Sequence, residues 1–170
     1  MFASCMVVAQ PSESNGTLEG DVALDREQQQ LEWCFKYSNL LGFNINYINN
    51  PRIFRSIGEW LGTPYAYSGK SDKGVDCSGF VCEIYRDCYN VVLDGSARHI
   101  YGEVEQIKKN DLREGDLVFF MIKRNRISHV GIYLSENKFA HASSTKGVII
   151  SDLDDPYYKK YYYGAGRPKL

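Results

Sequence analysis

Ile127-Ser128-His129-Val130-Gly131-Ile132-Tyr133-Leu134, the break Ser135-Glu136-Asn137, then Lys138-Phe139-Ala140-His141-Ala142 is the stretch that decides the fold. Two β-prone runs about a short polar break read as an antiparallel hairpin. A three-residue loop with Asn137 left-handed pairs Leu134 with Lys138. Counting back, Gly131 faces His141 and His129 faces Ser143. Side chains alternate along strands, so both histidines share one face as diagonal neighbours. The small residues Gly131 and Ser143 on that face are expected to leave space for a substrate.

Outward from the hairpin, Leu117–Ile122, Val148–Ser151 and Tyr162–Arg167 also read as strands between polar turns. Upstream the period changes to helical. Cys77, Val81, Ile84 and Cys88 form one stripe, with Phe80 beside it, on a helix opening at Asp76-Cys77. Asn50-Pro51 is a cap followed by proline at the first helical position of another helix, with Ile53, Phe54, Ile57, Trp60 and Leu61 on its apolar side. An earlier helix is expected from Asp25, boxed by Gln28, with Leu31, Cys34, Phe35 and Leu41 inward and Gly42 as its left-handed stop. A short helix follows Ser96. Helices first and antiparallel strands afterwards define an α+β domain.

The chain has 170 residues, 20 basic and 21 acidic side chains and a formal charge of −1. No basic surplus exists to neutralise phosphates, so nucleic acid is not the expected partner. Phe2 to Ala9 is too short to span a bilayer. Phe2-Ala3-Ser4-Cys5 resembles a lipoprotein signal box with Phe in place of the usual Leu, but a charged start and a full apolar stretch are missing. Export with a lipid anchor on Cys5 and a plain disordered N-terminus both remain open. Gln10 to Asp21, rich in Ser, Gly, Asn and Pro, reads as a flexible tether. The expected organisation is 1–24 as export-signal remnant and tether, 25–50 as a helical extension, and 51–170 as the working domain.

Five cysteines, at 5, 34, 77, 82 and 88, include no C-x-x-C pair, which argues against a zinc ribbon or a thioredoxin motif. Cys34, Cys82 and Cys88 read as buried reduced thiols. Cys77 differs, because unpaired N–H groups and the dipole at a helix start favour its thiolate. Gly79, just after it, is expected to leave room for a substrate backbone. With His129 taking the thiol proton and His141 fixing its tautomer, Cys77, His129 and His141 form a nucleophilic set. The same three side chains are also good zinc ligands, although no fourth is obvious. His99, in a polar stretch, reads as a surface residue.

These residues resemble the NlpC-type cell-wall peptidases, in particular the small Spr-like lipoproteins, from about Trp60 to Arg167. The likeness rests on Trp60-Leu61-Gly62-Thr63-Pro64-Tyr65, Gly74-Val75-Asp76-Cys77-Ser78-Gly79-Phe80-Val81, Gly115-Asp116-Leu117-Val118-Phe119-Phe120, His129-Val130-Gly131-Ile132-Tyr133, His141-Ala142-Ser143 and Gly147-Val148-Ile149-Ile150-Ser151. The resemblance implies a papain-like fold, with the nucleophile helix packed on an antiparallel sheet of about five to six strands. It implies Cys77 as nucleophile, His129 as base and His141 as the residue that orients it. Tyr65, Asp76, Ser78 and Gly79 are implied beside the substrate, although Asp76 reads equally well as a helix cap. The implied reaction is hydrolysis of the D-γ-glutamyl–diamino acid bond of peptidoglycan stem peptides, in the bacterial cell envelope (periplasm), by a monomer without metal or organic cofactor. A thiol amidase or acyltransferase, and a silent peptide-binding protein on the same scaffold, stay open. Ser68-Gly69 stands where relatives often have Gly-Gly, and Leu93-Asp94-Gly95-Ser96 replaces a common Leu-Pro-Arg-Ser. Both departures fall beside the expected substrate groove. The tyrosines from Tyr157 to Tyr163 read as packing residues.

Overall fold

The computed structural model describes residues 16–46, 49–123 and 125–169. The chain enters through helix α1 (Gly16–Leu41) and helix α2 (Pro51–Trp60), followed by a small hairpin of β1 (Lys70–Ser71) and β2 (Gly74–Val75). Helices α3 (Cys77–Tyr89) and α4 (Ala97–Glu103) come next, then β3 (Glu105–Ile107) and β4 (Leu117–Phe120). The chain closes with β5 (His129–Tyr133), β6 (Lys138–Ser143), β7 (Gly147–Asp152), helix α5 (Pro156–Tyr161) and β8 (Tyr162–Arg167). The main sheet has six strands in the order β3-β8-β4-β5-β6-β7, with every neighbouring pair antiparallel.

The hairpin register is the expected one. Ile132 pairs with Ala140 and Tyr133 with Phe139, and Leu134 N–H donates to the Lys138 carbonyl at 2.9 Å. Glu136 joins Asn137 in the left-handed region, with φ of 49° and 60°. The space at Gly131 is not left for a substrate, however. A Cβ there would lie 2.7 Å from the Phe139 ring, 2.8 Å from the Ala140 carbonyl and 3.1 Å from the His141 Cβ. Glycine at 131 makes room for the neighbouring strand's own side chains.

The sheet is buried on both faces. Leu117, Phe119, Val130, Ile132, Ala140 and Ala142 belong to the main core with Phe54, Ile57, Phe80 and Ile84 of the helices. Val118, Phe120, Phe139 and Leu153 form a second core on the opposite face, covered by Tyr158, Tyr161 and Tyr162. Tyr158, Tyr161 and Tyr162 thus pack as their sequence suggested, whereas Tyr157 and Tyr163 are exposed. Helix α5 was not anticipated, although Asp155 caps it through Tyr157 N–H at 2.8 Å with Pro156 in its first turn. This is the same cap-and-proline signal that announces α2.

The first helix departs from expectation in two ways. It begins at Gly16, so Asp25 sits inside it and accepts from Gln29 Nε2 at 2.8 Å, while Gln28 pairs with Glu32. The capping box therefore reads as two i,i+4 pairs of a longer helix. The buried face also differs. Leu31 and Phe35 are 64% and 73% exposed, whereas Tyr37 and Leu41 are buried and Trp33 packs edge-on against Phe54. The reason is the crossing with α2 at Gly58, where a Cβ would lie 3.0 Å from Leu40 and 3.2 Å from Tyr37. That close approach turns the aromatic stripe inward. Residues 1–15, including Cys5 and its signal-like box, lie outside the described residues.

Candidate active site

Cys77 is the first residue of α3, and Asp76 is its N-cap. One Asp76 oxygen accepts from Gly79 N–H at 2.7 Å and from the Ser78 hydroxyl at 3.1 Å. The other accepts from Ser68 N–H at 2.9 Å. The carboxylate is thus committed to the backbone of the helix start and of the loop before it, which is a capping role. Gly79 is buried and does not open toward a substrate. A Cβ there would lie 2.3 Å from the Gly69 carbonyl, so glycine is needed for the loop to close over the helix. Ser68 holds that loop with φ of 57°, a left-handed position that suits glycine better.

Helix α3 packs against β5 and β6. The backbone of Val130 hydrogen-bonds the Cys77 sulfur, as does that of Ser78. Val130 directly follows His129, so the sulfur lies against the very start of β5. The two imidazoles lie on the sheet face of Phe120 and Phe139, with His141 stacked on Phe139 at 4.9 Å and His129 5.8 Å from Phe120. This is the face turned away from α3. The site therefore forms at the end of the sheet, where helix start and strand start share one cleft.

His129 Nε2 and His141 Nδ1 are 2.9 Å apart. His141 Nε2 lies 3.0 Å from Ser151 Oγ and 3.1 Å from the Tyr158 hydroxyl. Either direction of the His129–His141 hydrogen bond satisfies these contacts, and one of the two leaves His129 able to act as a base. In that one, His129 carries its proton on Nε2 and donates to His141, whose own Nε2–H donates outward to Ser151 or Tyr158. His129 Nδ1 then keeps a free lone pair. Ser151 and Tyr158 were not picked out from the sequence. Ser151 shares a strand face with Ile149, which pairs with His141, so the β6–β7 register could have found it. Tyr158 arrives on α5 and has no local signal.

Burial sets the resting protonation. It lowers His129 to about 4, with the nearby Lys123 cation as a second cause. It also holds His141 well below the ordinary histidine value, helped by its neighbour His129. Cys77 moves the other way, up to about 11, through burial first and then the Asp76 charge; the Val130 and Ser78 hydrogen bonds oppose this. The helix start was expected to favour the thiolate. Here, desolvation outweighs the dipole. The resting pair is a neutral thiol and a neutral imidazole.

Two connected chambers of about 520 and 420 Å³ flank the sulfur, with Tyr65, Cys77, Lys123 and Ser128 lining both. Tyr65 is held by a bridge to Val75, and its hydroxyl is raised by burial and then by the neighbouring Cys77. Asp76 and Ser78 line the larger chamber; His129, His141 and Ser143 line the other. The described cysteines 34, 77, 82 and 88 are all free thiols. Among the described residues no group of three or more His, Cys, Asp or Glu converges on a metal position. His99 stands apart, exposed on α4.

A thiol at a helix start, set against antiparallel strands that carry a linked histidine pair, defines a papain-like α+β protein. Solved structures of the same build include an NLP/P60 family protein similar to lipoprotein from Staphylococcus aureus (31% identity, TM-score 0.61, covering 68% of this chain and 39% of that one). Residues 62–167 match the NlpC/P60 family, and the chain belongs to it. Curated relatives include a probable endopeptidase of Haemophilus influenzae, 42% identical over 64% of this chain and 68% of its own. Another is the murein DD-endopeptidase MepS/murein LD-carboxypeptidase of Escherichia coli, 40% identical over 68% of this chain and 61% of its own. The alignments thus span about two thirds of the curated relatives.

Proposed function

We propose that this chain is a cysteine endopeptidase of bacterial peptidoglycan, with Cys77 as nucleophile, His129 as base and His141 as the positioning residue. One observation carries the reading. The Cys77 sulfur rests on the β5 backbone beside His129, in a cleft that the Nε2–Nδ1 contact of the histidine pair orders from behind. The free Nδ1 of His129 takes the thiol proton as the sulfur attacks the scissile carbonyl. The Cys77 backbone N–H and the Tyr65 hydroxyl are the donors proposed for the oxyanion. Collapse of the tetrahedral intermediate releases the amine, which takes the proton from His129. Water, activated by the same imidazole, then hydrolyses the thioester and frees the thiol. The buried His129–His141 contact holds the ring orientation throughout, so no reorganisation is needed at the moment of transfer.

The bond proposed is that between D-γ-glutamate and the diamino acid of stem peptides. The DD-endopeptidase name of the 40%-identical relative favours a second reading, the D,D cross-link between stems. Digestion of purified wall fragments by wild type and Cys77→Ala, with the new ends identified by mass spectrometry, tells the two bonds apart. It also separates both from an amidase, which would free the sugar. Intact fragments with wild type, or equal cleavage by Cys77→Ala, refute the reading.

The enzyme is proposed to work as a monomer in the cell envelope, with residues 51–170 as the catalytic domain and 25–50 as the helical extension. Residues 1–24 are proposed to serve export and tethering, with the correction that the flexible tether expected over Gln10 to Asp21 is helical from Gly16, where α1 begins. Lipidation of Cys5 is tested by labelling with a fatty-acid analogue, comparing wild type with Cys5→Ala.

A further inference from the structure

The two halves of the cleft differ in charge. The larger chamber carries Lys70, Arg98, Lys123 and Arg126 against only Asp76 and Asp94. Both oxygens of Asp76 are taken by Ser68, Ser78 and Gly79, and Asp94 faces Lys70 at 3.7 Å. Arg98, Lys123 and Arg126 have no carboxylate partner among the described residues. The other chamber has Lys123 and Lys146 with Asp155, among hydroxyls and aromatic rings.

These three cations stand on two separately braced elements. Arg98 is in the first turn of α4, whose cap Ser96 bonds His99 N–H. Lys123 and Arg126 bridge each other across the turn between β4 and β5. Ser128 Oγ pins that turn by accepting from Ile122 and Lys123 N–H at 3.1 and 2.9 Å. Ser128 immediately precedes His129, so this charged wall is tied to the strand that brings the base. A guanidinium meets a carboxylate through two parallel hydrogen bonds, which gives orientation as well as attraction.

We propose that this half of the cleft is a carboxylate-binding subsite, where Arg98, Lys123 and Arg126 receive the free acids that flank the scissile bond, so that the substrates are non-amidated stem peptides. The inference rests on the peptidase reading and deepens it. A γ-linked glutamate keeps its α-carboxyl free, and the diamino acid contributes another. Amidation of either conserves shape and removes charge. The cations are largely solvent-facing, so each contact contributes about two- to fivefold in affinity, and the preference fades with salt.

Three synthetic stem peptides form the test: both acids free, amidated at glutamate, and amidated at the diamino acid. Binding is measured by calorimetry on Cys77→Ala, with and without Arg98→Gln and Arg126→Gln together, while cleavage is followed with the wild type. Amidation is expected to weaken binding about five- to tenfold, and the position that matters identifies the acid recognised. The arginine double substitution is expected to cut the acid preference to about twofold, the share left to Lys123. Equal binding of the three peptides to Cys77→Ala, no binding, or a preference undiminished by loss of both arginines overturns the subsite. Acid-selective binding without cleavage by wild type would instead refute the peptidase reading and leave the subsite standing.

Discussion

Acidification from pH 7 to pH 5 should destabilise this fold through its buried histidine pair. His129 has its ordinary value of 6.5 lowered to about 4 by burial. In the unfolded chain the ring takes a proton near pH 6.5; in the folded protein it stays neutral until about pH 4. The unfolded state therefore binds more protons across that window. Stability is full above the upper value and is lost as pH falls toward the lower one. The whole shift corresponds to about 3 kcal/mol at most, and about 2 kcal/mol of it is lost by pH 5. His141 is lowered too and acts with the same sign. Glu114, raised by burial, acts with the opposite sign and is present in every variant. The assay is urea denaturation at pH 7 and pH 5 for wild type and His129→Gln. Wild type should lose about 2 kcal/mol more than the variant over that interval. Equal losses in the two proteins would refute the neutral, buried pair and favour an imidazolium already present at rest.

Gly79→Ala sets two effects against each other. Alanine is the better helix former by about 1 kcal/mol, but its Cβ would meet the Gly69 carbonyl at 2.3 Å. Backbone overlap should win, with a net loss of about 1–3 kcal/mol in chemical denaturation. Arg167→Met should cost about 3 kcal/mol, because it strands Asp116, a buried carboxylate whose two oxygens take Arg167 Nε and Nη2 at 2.7 Å. Adding Asp116→Asn should recover part of that loss. Tyr158→Phe or Ser151→Ala alone leaves His141 Nε2 one partner, so kcat should fall by about threefold or less. The double substitution should lower kcat about tenfold or more and alter the pH profile, whereas a stability loss with unchanged kcat would assign both residues to packing.

Local patterns carried much of this molecule. The α+β class followed from a change of period between Cys88 and Leu117, and the hairpin register followed from the length of one polar break. That register placed His129 and His141 on one face, and the structure gives them a 2.9 Å contact. The orientation of α1 was not legible, because two apolar stripes compete on that helix and only the crossing at Gly58 selects between them. The roles read into Gly79 and Gly131 show the same limit. Both read as space for a ligand, and in both the space is filled by a neighbouring loop or strand of the chain itself.

What the sequence determined by itself is therefore what depends on neighbours a few residues away. This includes the helix start at Cys77 with its Asp76 cap, the strand alternation that groups the histidines, and the near-neutral charge. Tertiary structure decided what depends on segments far apart in the chain. Burial raises the thiol where the helix start alone would lower it, Ser151 and Tyr158 converge on His141 from β7 and α5, and three cations from two elements line one half of the cleft. Desolvation, and attraction between residues distant along the chain, exist only once folding has removed water and set those segments side by side.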